Sequence, residues 1–163
     1  IAAEMVMKLN KKYGRNVFLL DIFGPIDPGE DERWFAEQQQ HFTSAISYCG
    51  NAPFDKSVEI LSEYFALLFP TQYYTEGIPG TIIDSYAAGV PVIASRWKSF
   101  ADVIEEGVTG FGYDFNTTLN LERLLDEIVA NPSMIINLKQ GCIKKAKDFL
   151  PQNALKPLID RIR

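Results

Sequence analysis

Two stretches of this chain, residues 17–23 and 65–69, are apolar almost without interruption. The first is closed by Gly24-Pro25 and the second by Pro70. A strand with one wet face alternates apolar and polar residues. A strand apolar on both sides has to be covered twice, as in a parallel sheet with helices above and below. Residues 45–49, stopped by Gly50-Asn51, and residues 91–94 read as two further strands. Helical patterns separate them: 2–9, with Met5, Val6 and Leu9 on one face and an end before Gly14; 33–42; 56–62; 79–88; and a helical turn over 100–105. Residues 28–32 read as an acidic loop and 110–115 as a short edge strand or loop. Leu121, Leu124, Leu125 and Ile128 then follow helical spacing. Asn131-Pro132 breaks that helix, a second runs from Ser133 to about residue 149, and a short one covers 153–162. Such alternation predicts an α/β fold: a Rossmann-like parallel sheet with right-handed crossovers and helices on both faces. With 163 residues and no internal linker or repeat, a single domain is expected over 1–163.

Composition narrows the function. A net charge of −5 argues against a nucleic-acid partner, which calls for a basic face. Cys49 and Cys142 are too few for a disulfide framework, which points to a reducing, cytoplasmic compartment. No apolar run reaches the roughly 18 residues of a membrane span, and no signal-peptide pattern is visible. The chain begins at Ile1 and enters a helical pattern at once, which reads as a piece of a longer protein.

The segment richest in chemistry is 76–94. Glu76 and Asp84 stand eight positions apart, joined by Gly77-Ile78-Pro79-Gly80 and followed by a short helix and a buried strand. In open parallel sheets ligands bind beyond the carboxyl ends of strands. Three loops leave such ends, at Gly24-Pro25, at 49–53 and at 70–80, and the last is the longest. Pro79 suits a first helical turn, where its missing N–H costs nothing. Free amides of Gly80, Thr81 and Ile82 at the positive end of the helix dipole form a ready anion site, and a diphosphate fits it. Gly77 and Gly80 allow a ligand to approach the backbone closely. Glu76, ahead of the helix, could accept hydrogen bonds from sugar hydroxyls. Asp84, ~7.5 Å along the helix axis, could hold a ribose. Each acid taken alone is as readily a solvated helix-end residue, and it is the combination that points to a nucleotide sugar.

This combination resembles the donor site of the retaining glycosyltransferases of family 4, group 1, with two Rossmann-like halves (the GT-B fold). The matching residues are Glu76, Gly77-Ile78-Pro79, Asp84 and the run Ala87-Ala88-Gly89-Val90-Pro91-Val92-Ile93-Ala94. The likeness continues in 16–25, in 46–50 and in 101–112, with Ile104, Gly107, Thr109 and Gly110. The resemblance implies the C-terminal, donor-binding domain of a two-domain enzyme that transfers a sugar with retention of anomeric configuration. It implies that Glu76 contacts the donor sugar as the catalytic-site acid. Backbone of Gly77, Ile78, Pro79, Gly80 and Thr81 would hold sugar and diphosphate, Asp84 the ribose, and Cys49, Gly50 and Asn51 the base. The partners expected are a nucleotide-diphospho-sugar and a glycan, lipid or small-molecule acceptor bound by another domain. No metal and no cofactor are expected. Two departures stand out. The family's second acid is usually Glu, so the shorter Asp84 would contact ribose loosely or through water. The basic pair that neutralises the diphosphate, and the acceptor half, lie outside these residues, so this chain alone is expected to be inactive.

The remaining features are weighed against ordinary roles. Asp27, Glu30, Asp31 and Glu32 could hold a metal, but most such clusters are solvated loops. His41, the only histidine, is more often a surface or core residue than a base. Lys139, Lys144, Lys145 and Lys147 form a basic stripe whose commonest fate is solvation and whose alternative is peripheral contact with anionic lipid at a membrane's inner face. Arg96 and Lys98 could supply positive charge near the site, Trp97 could flank it, and Trp34 could line the cleft or sit in the core. Tyr73 and Tyr74 could line a sugar pocket or pack the loop. Two other functions stay open: a nucleotide-sugar epimerase of the same architecture, and a non-catalytic nucleotide-binding module.

Overall fold

The computed structural model describes residues 1–162. The chain divides into two compact units, Ile1–Phe54 and Asp55–Arg163.

The first unit runs α1 (Ala2–Tyr13), β1 (Leu20–Phe23), α2 (Glu30–Gln39) and β2 (Ile46–Gly50). The two strands are parallel, Leu20 opposite Ile46 and Ile22 opposite Tyr48, with an irregularity before Phe23 meets Gly50. The expected strand over 17–23 begins only at Leu20, because Asn10 of α1 claims the residues before it. Its Oδ1 accepts from the amides of Val17 (2.9 Å) and Phe18 (3.0 Å), and its Nδ2 donates to the Phe18 carbonyl (2.9 Å). A side chain thus replaces a neighbouring strand as the partner of that backbone. The expected acidic loop over 28–32 is also corrected. Glu30, Asp31 and Glu32 form the first turn of α2, where three carboxylates meet the positive end of the helix dipole.

The second unit contains α3 (Ser57–Ser62), β3 (Leu67–Phe69), α4 (Gly80–Ala87), β4 (Val92–Ser95), α5 (Phe100–Val103), β5 (Gly110–Tyr113), α6 (Leu119–Ala130), α7 (Ser133–Ile136), α8 (Lys139–Ala146), α9 (Pro151–Ala154) and α10 (Lys156–Ile162). Its sheet is parallel with order β3-β4-β5. Every residue of the central β4 is buried, as its apolar sequence requires. Of the expected strand or loop over 110–115, Gly110–Tyr113 form the edge strand β5.

One core cluster joins Ile82 and Tyr86 of α4, Val92 and Ala94 of β4, Trp97, Phe100, Val103, Ile104 and Cys142. Tyr86 is fully buried, and its hydroxyl lies 3.1 Å from the Val103 carbonyl and 3.2 Å from Thr109 Oγ1. These bonds fix α4, and with it the helix start that carries the candidate site. Leu121, Leu125 and Ile128 form the buried stripe of α6. The single helix expected after Ser133 is interrupted. Its ladder shortens to a bond from the Leu138 amide to the Ile135 carbonyl (3.0 Å), which brings both buried side chains inward. The chain then re-forms as α8 and ends in a 3-10 turn over Lys147–Phe149.

The Tyr113 hydroxyl is the only buried side-chain polar atom among the described residues with no hydrogen-bond partner. Burial pushes its phenol up to about 12, opposed by the Ser95 hydroxyl, which is near but outside hydrogen-bonding geometry. An orphaned buried hydroxyl costs about 1–3 kcal/mol. Tyr113→Phe is therefore expected to hold or raise stability, by up to about 1 kcal/mol, in urea unfolding. A loss above about 1 kcal/mol would show that the hydroxyl has a partner.

Candidate functional site

The loop between β3 and α4 is pinned at three points by the residues that leave β4. Ser95 Oγ donates to the Thr71 carbonyl (2.6 Å), the Lys98 amide to the Tyr74 carbonyl (3.0 Å), and Trp97 Nε1 to the Gly77 carbonyl (3.3 Å). Trp97 can act as a strut because its own ring is buried, packed edge-on against Phe69 at 5.8 Å and Phe100 at 5.6 Å. Tyr74 meets Phe115 edge-on at 5.2 Å. The loop is therefore held in one shape by the fold beneath it.

Glu76 sits within this clamped segment. Its amide closes a turn on the Tyr73 carbonyl (3.1 Å), and its carboxylate, half-buried, has no ion pair or hydrogen bond among the described residues. Gly77 and Gly80 are exposed, and a Cβ built on either would meet nothing within 4 Å. Neither has the positive φ that favours glycine. Nothing inside the protein demands glycine at these two places.

Pro79 caps α4 with extended backbone (φ −68°, ψ 127°). Helix-end geometry alone would leave three amides free at this tip. The structure leaves two, Gly80 and Thr81, because the Ile82 amide already donates to the Pro79 carbonyl (3.0 Å). Ile78 is exposed beside them. Asp84 is the fifth residue of the helix and is half-buried. Its Oδ2 accepts a 2.6 Å hydrogen bond from Ser57 Oγ, a partner from α3 that sequence spacing does not reveal. Residues 76–81 and 84 thus lie on one continuous loop-and-helix segment.

The rest of the motif builds the fold. Gly89 adopts φ 71° where α4 ends, Ser85 Oγ donates to the Val90 carbonyl (2.7 Å), and the chain turns directly into β4. Glycine is needed here for its left-handed backbone.

Arg96 is not a free cation. It makes a bidentate pair with Glu106 (2.7 and 2.9 Å) and reaches Asp114 at 3.4 Å. Glu106 also accepts from the Gly112 amide (2.8 Å). Burial works against ionisation of Glu106, but the Arg96 and Gly112 hydrogen bonds outweigh it and hold the carboxyl below its ordinary value. The pair ties β4 to β5. Lys98 is exposed and contributes its backbone to the loop clamp.

In the first unit, Gly50 has φ 71°, its carbonyl accepts from the Gly24 amide (3.0 Å), and the Tyr48 hydroxyl donates to the Gly24 carbonyl (2.8 Å). Cys49 and Asn51 are exposed. The Cys49 thiol is pushed above its ordinary value, by local desolvation first and the Asp21 carboxylate second. Trp34 is 60% exposed and lines an open recess of 390 Å³ with Pro25, Ile26, Asp27, Asp31 and Phe35. Among the described residues no three His, Cys, Asp or Glu side chains cluster closely enough to hold a metal ion.

Comparison with known proteins supplies a second line. The family model described as "Glycosyl transferases group 1" matches residues 3–149. Two curated relatives are named chitobiosyldiphosphodolichol beta-mannosyltransferase. That of Arthroderma benhamiae is 26% identical over 73 residues, 44% of this chain and 16% of its own length. That of Debaryomyces hansenii is 27% identical over 75 residues, 42% of this chain and 16% of its own. Among solved structures, HepE of Anabaena in complex with UDP and glucose superposes with TM-score 0.71 at 13% identity, over 98% of this chain and 52% of that one. Sucrose-phosphate synthase of Thermosynechococcus elongatus gives 0.70 at 20% identity, over 98% and 41%. The chain spans about half or less of the proteins it resembles.

Proposed function

The chain belongs to the group 1 glycosyl transferases, and from that premise we propose that it is the donor-binding domain of a transferase that moves a sugar from a nucleotide-diphospho-sugar to an acceptor with retention of anomeric configuration. One observation carries the reading: an acid with no partner among the described residues is fixed on a clamped loop, just ahead of open glycines and the start of a helix. A carboxylate left unpaired in a rigid loop is arranged for an outside donor, and sugar hydroxyls are such donors. Glu76 would accept from the sugar. The amides of Gly80 and Thr81, with backbone of Gly77, Ile78 and Pro79, would hold the diphosphate. There the helix dipole opposes the negative charge that develops as the nucleoside diphosphate departs. Asp84 would bind ribose through the oxygen that Ser57 leaves free. HepE, at 13% identity, was solved with UDP and glucose, which supports a ligand of that class for this segment. The two free thiols suit a reducing, cytoplasmic setting.

A thermal-shift screen of UDP, GDP, ADP and their sugars tests this. The matching donor at a hundred times its dissociation constant is expected to stabilise the fold by ~2.7 kcal/mol. Failure of every nucleoside diphosphate and every sugar conjugate to raise the midpoint would overturn the proposal.

A further inference from the structure

Helices α3 and α4 of the second unit are joined by one short hydrogen bond between side chains. Ser57, the first residue of α3, donates from Oγ to Asp84 Oδ2 at 2.6 Å. That length is typical of a hydroxyl donating to a carboxylate. Both residues are half-buried, so the bond is partly shielded from water that would compete for it. The other carboxylate oxygen, Oδ1, has no hydrogen bond or ion pair among the described residues. An aspartate turns about two side-chain torsions, and a bond from a neighbouring helix restricts both. Helix α4 is itself locked in place by the Tyr86 hydroxyl, 3.1 Å from the Val103 carbonyl. The two oxygens of Asp84 are therefore unequal: Oδ2 is engaged within the fold, and Oδ1 is left for a ligand.

We propose that Ser57 is a positioning residue that commits Asp84 to reading a single ribose hydroxyl. The inference rests on the donor-site reading above, in which Asp84 binds ribose. A carboxylate with both oxygens available can accept from the 2′ and the 3′ hydroxyl of one ribose, one on each oxygen. With Oδ2 held by Ser57, Oδ1 accepts from one of them, and the other hydroxyl does not depend on Asp84. A bond that only tied α3 to α4 would add stability without making the two hydroxyls unequal.

Calorimetric titration of the full chain tests this, with UDP, GDP, ADP and their sugars, and with the 2′-deoxy and 3′-deoxy forms of the ligand that binds. In wild type, one deoxy form is expected to bind about tenfold more weakly than its parent and the other within about twofold, because a hydrogen bond to a charged group contributes about that factor. Alanine is well suited to a helical position, so Ser57→Ala is expected to keep the wild-type circular dichroism. Its affinity for the parent ligand is expected to fall about three- to tenfold, because binding must then order a freed side chain. The gap between its two deoxy forms is expected to close to within about threefold, and Ser57→Thr, which keeps the hydroxyl, to restore both affinity and gap. The inference is overturned by equal losses for the two deoxy forms in wild type. It is overturned equally by an affinity and a hydroxyl preference that Ser57→Ala leaves unchanged, or by a Ser57→Thr that behaves as Ser57→Ala. Each of these results leaves the donor-site reading standing, whereas failure of every nucleoside diphosphate and every sugar conjugate to bind overturns both.

Discussion

Glu76→Gln is expected to weaken binding of the donor nucleotide sugar by roughly ten- to a hundredfold while leaving the parent nucleoside diphosphate bound as in wild type. Among the described residues the carboxylate has no partner to lose, so its neutralisation leaves the fold alone. Hydrogen bonds to a charged group contribute about 1.5–3 kcal/mol, and each ~1.4 kcal/mol is a factor of ten in affinity. The loop beneath is fixed by Ser95, Trp97 and Lys98, so the substituted side-chain amide would occupy the same place without the charge. Calorimetric titration with both ligands reads the two effects separately. Equal donor affinity in wild type and variant would remove Glu76 from the site. Loss of both ligands would place it at the diphosphate instead.

Gly110→Ala is expected to cost on the order of 3 kcal/mol or more, a large part of the roughly 5–15 kcal/mol that holds a typical domain together. A Cβ on Gly110 would stand 2.0 Å from the Val92 carbonyl oxygen and 2.9 Å from its carbon. Both are backbone atoms of the central strand, and no side-chain rotation relieves the clash. Either β5 moves off β4 or the pairing of Val92 with Gly110 is lost. Gly77→Ala is the contrast: its Cβ meets nothing, so stability should stay within about 0.5 kcal/mol of wild type while donor affinity falls. Urea unfolding followed by circular dichroism measures the stability of both variants. A Gly110→Ala midpoint close to wild type would mean that the edge strand yields more easily than its close packing implies.

These two glycines show where sequence reading succeeds and where it stops. Both belong to recognisable segments, and nothing in the letters separates them. One is required by a neighbouring strand, and the other is required by nothing inside the protein. The run 87–94 reads as part of a donor-site motif, yet in the structure it mainly ends α4 at Gly89 and delivers the chain to β4. Arg96, which by sequence could supply charge for the ligand, is committed to Glu106 and Asp114. Sequence proximity places Trp97 near the site, but its role as a strut for the Gly77 carbonyl needs the geometry. The strand expected from Val17 begins at Leu20, because Asn10, seven residues earlier in the chain than Val17, takes the backbone partners first.

The alternation of fully apolar strands with amphipathic helices was enough, by itself, to determine the α/β class and the parallel pairing. Burial on both faces is complete only at the central β4, where every residue is buried, whereas β1 alternates half-buried and exposed residues. The order of acid, glycine, proline and helix in residues 76–84 likewise marked the loop and helix start that we propose face the ligand. Which polar groups remain available there was decided by the tertiary structure. Hydrogen bonds between residues far apart in sequence (Ser57 to Asp84, Ser95 to Thr71, Trp97 to Gly77) are set by chain crossings. Local sequence carries no record of these distant partners.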